Sequence, residues 1–132
     1  MTLKELCKKY NGKTIKDAGG VNSKEMRKFA ADFQSAIRAF CKITNVELVR
    51  MSLGHYNVSG FIKDTYENKY FYISYNVPRC EMPINIQACS PMDGVLYRTA
   101  ESDKDYHGGY NRFSSLNALE ENLTYLIGSY FS

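Results

Sequence analysis

Apolar and polar residues follow two different periods along this chain, and the switch between them divides it. Leu3, Leu6, Cys7 and Tyr10 recur at steps of three and four, which predicts a short helix with one buried stripe. Thr2 and Glu5 frame its start as a capping box, each side chain accepting from the other's backbone amide. Asn11-Gly12 stops it, because both residues tolerate a left-handed backbone. A longer stripe runs through Met26, Phe29, Ala30, Phe33, Ala36, Ile37, Phe40 and Cys41, with Asn22 and Glu25 as its cap. Lys24, Arg27, Lys28, Asp32, Gln34, Ser35, Arg38 and Lys42 fall largely off that stripe. This helix is expected to anchor the core, since fully burying one large apolar side chain contributes about 1.5–3 kcal/mol.

From Val46 the period becomes two. Residues 46–53, 56–63, 69–75 and 95–100 have the pattern of strands. Gly54-His55 supplies a turn or bulge, and 64–68 supplies a polar turn. In 69–75, alternation sends Phe71, Ile73 and Tyr75 to one face and Tyr70, Tyr72 and Ser74 to the other, so one face packs on the long helix and one stays partly wet. Gly60 within its strand predicts a bulge or a close approach by another backbone. All three prolines fall in 76–93, a long connection with one short strand expected at 84–88. Ser115 caps a last helix with Leu116, Leu119, Leu123, Leu126 and Ile127 as its stripe, ended by Gly128. The expected fold is one α+β domain over 1–132. It has an antiparallel meander of four or five strands with helices packed on one face, in the order α-α-β-β-β-(β)-β-α.

Composition adds ordinary globular balance, 44% hydrophobic and 23% charged, with tyrosine in excess. Eleven Tyr and no Trp suit a sheet surface or an interface. Charge is unevenly placed. Residues 1–50 hold eleven Lys and Arg against five Asp and Glu, while 51–132 hold six against nine. A basic early half suits nucleic acid, through Lys8, Lys9, Lys13, Lys16, Arg27 and Lys28. The first ten residues are charged and amphipathic rather than a secretory leader. No run approaches the length of a membrane span. The chain is therefore expected to be cytoplasmic with reduced thiols and no membrane partner. Cys7 and Cys41 fall on helical stripes as small buried hydrophobes. Cys80 and Cys89 lack CxxC spacing and a nearby His pair, a poor pattern for zinc.

The densest chemistry lies in 96–113, LYRTAESDKDYHGGYNRF, between the last expected strand and the last helix. Gly108-Gly109 marks a loop of demanding backbone shape. Asp103, Asp105 and His107 are the types a metal-assisted hydrolase uses, with Glu101 and Asp64 as further candidates. Cys80 beside Arg79 is the one candidate thiol nucleophile, with His55 or His107 as its base. No HExxH, GxSxG, P-loop or GxGxxG is present, so no catalytic residue, metal or cofactor is assigned. Binding is the better reading. Arg79, Arg98 and Arg112 border an aromatic sheet on which Tyr70, Tyr72, Tyr97, Tyr106 and Tyr110 add stacking area. Arginine with tyrosine is the composition of interface hot spots and of single-strand nucleic-acid platforms. The expected partner-binding set is Tyr70, Tyr72, Arg79, Arg98, Glu101, Asp103, Asp105, Tyr106, His107, Tyr110 and Arg112. Within it, Glu101, Asp103 and Asp105, joined by Glu120 and Glu121, form an acidic face suited to a basic groove.

The segments SGFI (59–62), KYFYIS (69–74), VPR (77–79), LYRTA (96–100) and KDYHGGYN (104–111) together resemble small proteins encoded by phages and conjugative elements of Gram-positive bacteria. The resemblance implies a mobile-element setting. Small α+β proteins there are often inhibitors of host defence, including anti-CRISPR proteins. It thus implies a non-enzymatic inhibitor of a host nuclease defence, its partner a Cas effector or that effector's nucleoprotein complex. A nucleic-acid-binding accessory protein, and a small-ligand binder or hydrolase built on 96–113, are the alternatives.

Overall fold

The expected capping box forms. Thr2 Oγ1 accepts from the Glu5 amide at 3.1 Å and Glu5 Oε1 accepts from the Thr2 amide at 3.1 Å. It opens α1 (Leu3–Tyr10) in the structure, a computed structural model that describes residues 1–15, 23–54, 57–78, 82–90 and 93–129. The remaining elements among these residues are α2 (Lys24–Thr44), β1 (Glu47–Leu53), β2 (Asn57–Asp64), β3 (Lys69–Asn76), β4 (Val95–Ala100), β5 (Arg112–Ser114) and α3 (Leu119–Ser129). Ser23, rather than Asn22, caps α2, its Oγ accepting from the Met26 amide at 3.0 Å. Asn22 itself lies outside the described residues. Asn45 ends α2 with φ of 60°, a left-handed conformation that Asn accepts more readily than most residues.

The sheet is one antiparallel meander in the order β1-β2-β3-β4-β5. Its inner face carries Met51, Val58, Ile62, Phe71, Ile73, Tyr75, Val95 and Tyr97, and these join the buried stripes of all three helices in one core. Tyr75 stacks on Phe33 at 5.9 Å and tilts against Phe29 at 5.6 Å, so α2 lies across the middle of the inner face. α1 packs beside α2, with Tyr10 edge-on to Phe29 at 4.8 Å. The Tyr10 hydroxyl donates to Asp32 Oδ2 at 2.6 Å. Burial, then that carboxylate, push the Tyr10 pKa well above the usual phenol value. Burial likewise pushes the Cys41 thiol up to about 12, consistent with its expected role as a core hydrophobe.

Four expectations are corrected. Residues 84–88 form no strand. Ile84 exchanges backbone hydrogen bonds with Gly12 and Lys13, and Asn85 Oδ1 accepts from the Gln87 amide at 3.0 Å, an Asx turn that competes with a ladder. α3 starts at Leu119 rather than directly after Ser115, which instead caps a preceding turn through the Ala118 amide. Gly128 lies within α3 as it runs to Ser129. Residues 96–113 are not strand plus one loop, because Arg112–Ser114 return to the sheet as β5; three residues are too few to show a period.

β1 contains a bulge. The register slips between Leu48 and Arg50, leaving Val49 as the extra residue. A Cβ on Gly60 would collide with the Arg50 carbonyl oxygen and come within 2.7 Å of Met51 Cα. Only glycine lets β1 approach this closely.

Candidate functional site: a strap over the outer face of the sheet

The outer face has a row of four side chains running across the strands. Arg50 pairs with Phe61, Phe61 with Tyr72, and Tyr72 with Arg98. The row runs charge, ring, ring, charge. Arg50 lies 5.3 Å from the Phe61 centroid, Phe61 lies 5.1 Å from Tyr72, and Arg98 lies 4.7 Å from Tyr72. Two π systems are thus flanked by two guanidiniums, each in cation–π range. Phe61 is fully buried yet stands apart from the main core, so something covers it.

The cover is the segment 101–111, which leaves β4, crosses the outer face and returns as β5. Its tip reaches β1, three strand spacings away, or about 14 Å at 4.8 Å each. There Arg50 Nη1 donates to Asp103 Oδ2 at 3.1 Å, and Arg50 Nη2 donates to the Tyr106 hydroxyl at 2.9 Å and to the Asp103 carbonyl. The Tyr106 ring meets Phe61 at 5.3 Å and Tyr72 at 5.8 Å, both edge-on. At the base of this strap, Arg98 is 1% exposed. Its Nη2 donates to the Asp105 carbonyl at 2.6 Å and its Nη1 to the Thr99 carbonyl at 3.2 Å. The Asp105 carboxylate accepts from the Gly108 amide at 2.7 Å and from the Glu101 amide at 3.0 Å. Amides of Glu101, then Gly108, hold its pKa below the usual carboxylate range, with Arg98 adding to the effect. Gly109 has φ of +81° and leaves no room for a Cβ beneath the Thr99 carbonyl.

Among the described residues, two recesses adjoin the strap. One, of about 400 Å³, lies between the strap and the β2–β3 turn, with Lys69, Tyr70 and Glu101 in its walls. The other, of about 330 Å³, opens over β3 and β4, with Ser74, Asn76, Arg98, His107 and Asn111 in its lining. No protein-family model, no curated protein and no solved structure matches the chain.

The expected site residues do not form one cluster. Arg98, Asp103, Asp105, Tyr106 and Tyr72 converge, and they hold the strap to the sheet. Glu101, His107 and Tyr110 project from it, with Tyr110 78% exposed. Tyr70 is half-buried at the strap's foot under Lys63, whose ammonium lies 5.2 Å from its ring. Arg112 pairs with Tyr97, so it sits at the sheet edge on the helical side, its guanidinium donating to the Tyr110 carbonyl at 3.4 Å. Tyr97 itself belongs to the core, which takes it off the stacking surface. Arg79, together with Cys80 and His55, lies outside the described residues.

Two candidate constellations do not assemble. Asp103 and Asp105 are engaged by different arginines, and no group of three or more His, Cys, Asp or Glu is placed to hold a metal ion among the described residues. Glu120 and Glu121 lie beside Phe40, Ile43 and Thr44 of α2, on the helical side of the sheet, away from Glu101. Arg50 and Phe61 are the members that sequence reasoning missed. The one local signal for Phe61 was a large aromatic at a position that alternation assigns to the wet face.

Proposed function

We propose that this protein is a non-enzymatic binding protein of a mobile genetic element, inhibiting a host nuclease defence by protein–protein contact through the strap. The observation that supports this is the division of labour within 101–111. Buried Arg98, the Asp105 carboxylate and Arg50 fix the backbone, while Tyr106, His107 and Tyr110 remain exposed on it. A surface fixed before binding loses little entropy on docking. Tyrosine supplies large contact area with few rotatable bonds. Tyr66 is 92% exposed in the β2–β3 turn, the turn that borders the 400 Å³ recess through Asn68 and Lys69. Asp103 and Asp105 serve this reading as anchors of the strap rather than as phosphate mimics. The mobile-element setting and the nuclease target come from the resemblance.

Plaque counts test this reading. A phage targeted by a nuclease-based defence is plated on cells with and without the protein. Wild type is expected to raise plaque number, and a Tyr66→Ala/His107→Ala/Tyr110→Ala variant to lose that effect with an unchanged melting temperature. Equal protection by that variant removes the strap surface from the mechanism. No protection by wild type against any nuclease defence tried removes the inhibitor function.

A further inference from the structure

The helical layer carries a second surface, on the other side of the molecule from the strap. Each α2 residue advances 100° around the helix axis, so Lys24, Arg27, Lys28, Arg38 and Lys42 fall within about 60° of one line. That line lies opposite the buried stripe of Met26, Phe29, Phe33, Ile37 and Phe40. The stripe is about 27 Å long at 1.5 Å per residue, and all five of these residues are exposed. Ala31 and Ser35 fill its middle, and no acidic residue enters it. Glu25 and Asp32 lie about 80–100° around the helix, on its flank. Asp32 is bound there by Lys9 at 2.7 Å and by Tyr10, so Lys9 is spent within the fold. Among the described residues, Lys24, Lys28, Arg38 and Lys42 form no ion pair.

This arrangement works against the stability of the helix that carries it. Lys24, Arg27 and Lys28 stand at the N-terminal end of α2, where the macrodipole is positive and cations are disfavoured. Lys24 with Lys28, and Arg38 with Lys42, are like charges at i,i+4, which destabilise a helix by about 0.2–0.5 kcal/mol each. A stripe set for helix stability would have alternated Glu with Lys.

We propose that the outer face of α2 binds the phosphate backbone of nucleic acid without regard to sequence. A row of long cations along a convex rod matches a row of phosphates. Between the cations stand only Ala31 and Ser35, whereas a membrane-surface helix needs a broad apolar face; here that face is in the core. Lys16 lies outside the described residues, and Lys9 is neutralised by Asp32. Of the basic residues the sequence pointed to, Arg27 and Lys28 stand on this stripe, Lys8 and Lys13 are exposed off α2, and Lys24, Arg38 and Lys42 complete the row.

Fluorescence anisotropy of the full chain with a labelled duplex and a labelled single strand, each about 20 nucleotides long, tests the proposal. With five phosphate contacts, the slope of log K against log salt on the duplex is expected near −4.5, about a 500-fold weakening between 50 and 200 mM salt. Lys24→Gln/Lys28→Gln/Arg38→Gln/Lys42→Gln is expected to bring the slope to about −1 while its melting temperature stays level or rises. Should that variant fail to fold, Lys24→Gln/Arg38→Gln is expected to reduce the slope by about 2. Tyr110→Ala is expected to leave the binding intact, which separates this surface from the strap. Absence of binding to either probe at 50 mM salt overturns the proposal. So does a salt slope unchanged by the substitutions, or binding to phosphatidylserine vesicles in place of nucleic acid.

Discussion

Arg98→Met isolates what holds the strap down. The substitution keeps the apolar stem of a side chain that is 1% exposed and removes the guanidinium, ending about where Nε stands. Two charge-assisted hydrogen bonds are lost, to the Asp105 carbonyl at 2.6 Å and the Thr99 carbonyl at 3.2 Å, each worth about 1.5–3 kcal/mol when the donor is charged. The cation–π contact with Tyr72 at 4.7 Å adds about 2 kcal/mol when desolvated. These do not sum, because one group makes all of them. Breaking one side of a buried ionic network costs about 3–5 kcal/mol, here at the lower end because the part-exposed Asp105 carboxylate keeps its two amide donors. A net loss of about 3 kcal/mol follows, a fall in melting temperature of about 9–15 °C for a chain of this size. Arg98→Lys is expected to recover little, since an ammonium cannot span both carbonyls as the planar fork does. Hydrogen exchange localises the effect. The Glu101 and Gly108 amides, both donors to Asp105, are expected to lose protection before the β2–β3 ladder does. A loss below about 1 kcal/mol with both amides still protected would refute the claim that buried Arg98 fixes the strap.

Three further outcomes follow from the same contacts. Gly109→Ala places a side chain at φ of +81° against the Thr99 carbonyl and is expected to cost at least about 1–2 kcal/mol in urea unfolding; a neutral result means the loop does not need its left-handed turn. Gly60→Ala drives a methyl into the Arg50 carbonyl and is expected to cost about 3 kcal/mol or more by overpacking, with a wild-type urea midpoint counting against the β1–β2 register. Folding lowers the pKa of Asp105 through the Glu101 and Gly108 amides. Hydrogen bonds from Lys9 and Tyr10 lower that of Asp32 against the opposing effect of burial. Their stabilisation is therefore complete above the ordinary carboxylate range near 4 and fades as pH falls below it. Melting temperature should be level above about pH 5 and drop below about pH 4, and Asp105→Asn should make that drop shallower; an identical acid profile would exclude Asp105 as a contributor.

The fold was legible wherever a period ran long enough. The α2 stripe at steps of three and four, and the alternation of Phe71, Ile73 and Tyr75 against Tyr70, Tyr72 and Ser74, mark the helical layer and the inner face of β3. Gly60 signalled a close backbone approach. β5 escaped notice because three residues carry no period. The site was legible in composition but not in roles. Asp103 and Asp105 looked like candidates for a metal or a partner because their neighbours in sequence are polar. Their neighbours in space are Arg50 and Arg98, and the Arg50–Asp103 pair spans 53 positions of sequence. No local pattern encodes a contact at that separation.

No local pattern in β1 marks Arg50 either. With Leu48 facing the core, strict alternation sends Arg50 inward and Met51 to the outer face. The bulge at Val49 reverses both, so that Met51 joins the core and Arg50 faces the strap. That bulge brings the Arg50 carbonyl against Gly60, and the glycine is what leaves room for it. The missing side chain on β2 thus determines where a cation on β1 points. The cation in turn holds Asp103 and Tyr106 at the strap's tip, and Tyr106 closes over Phe61. One backbone position is coupled in this way to the exposed tyrosines that the strap presents, and its effect on any partner would arise without contact.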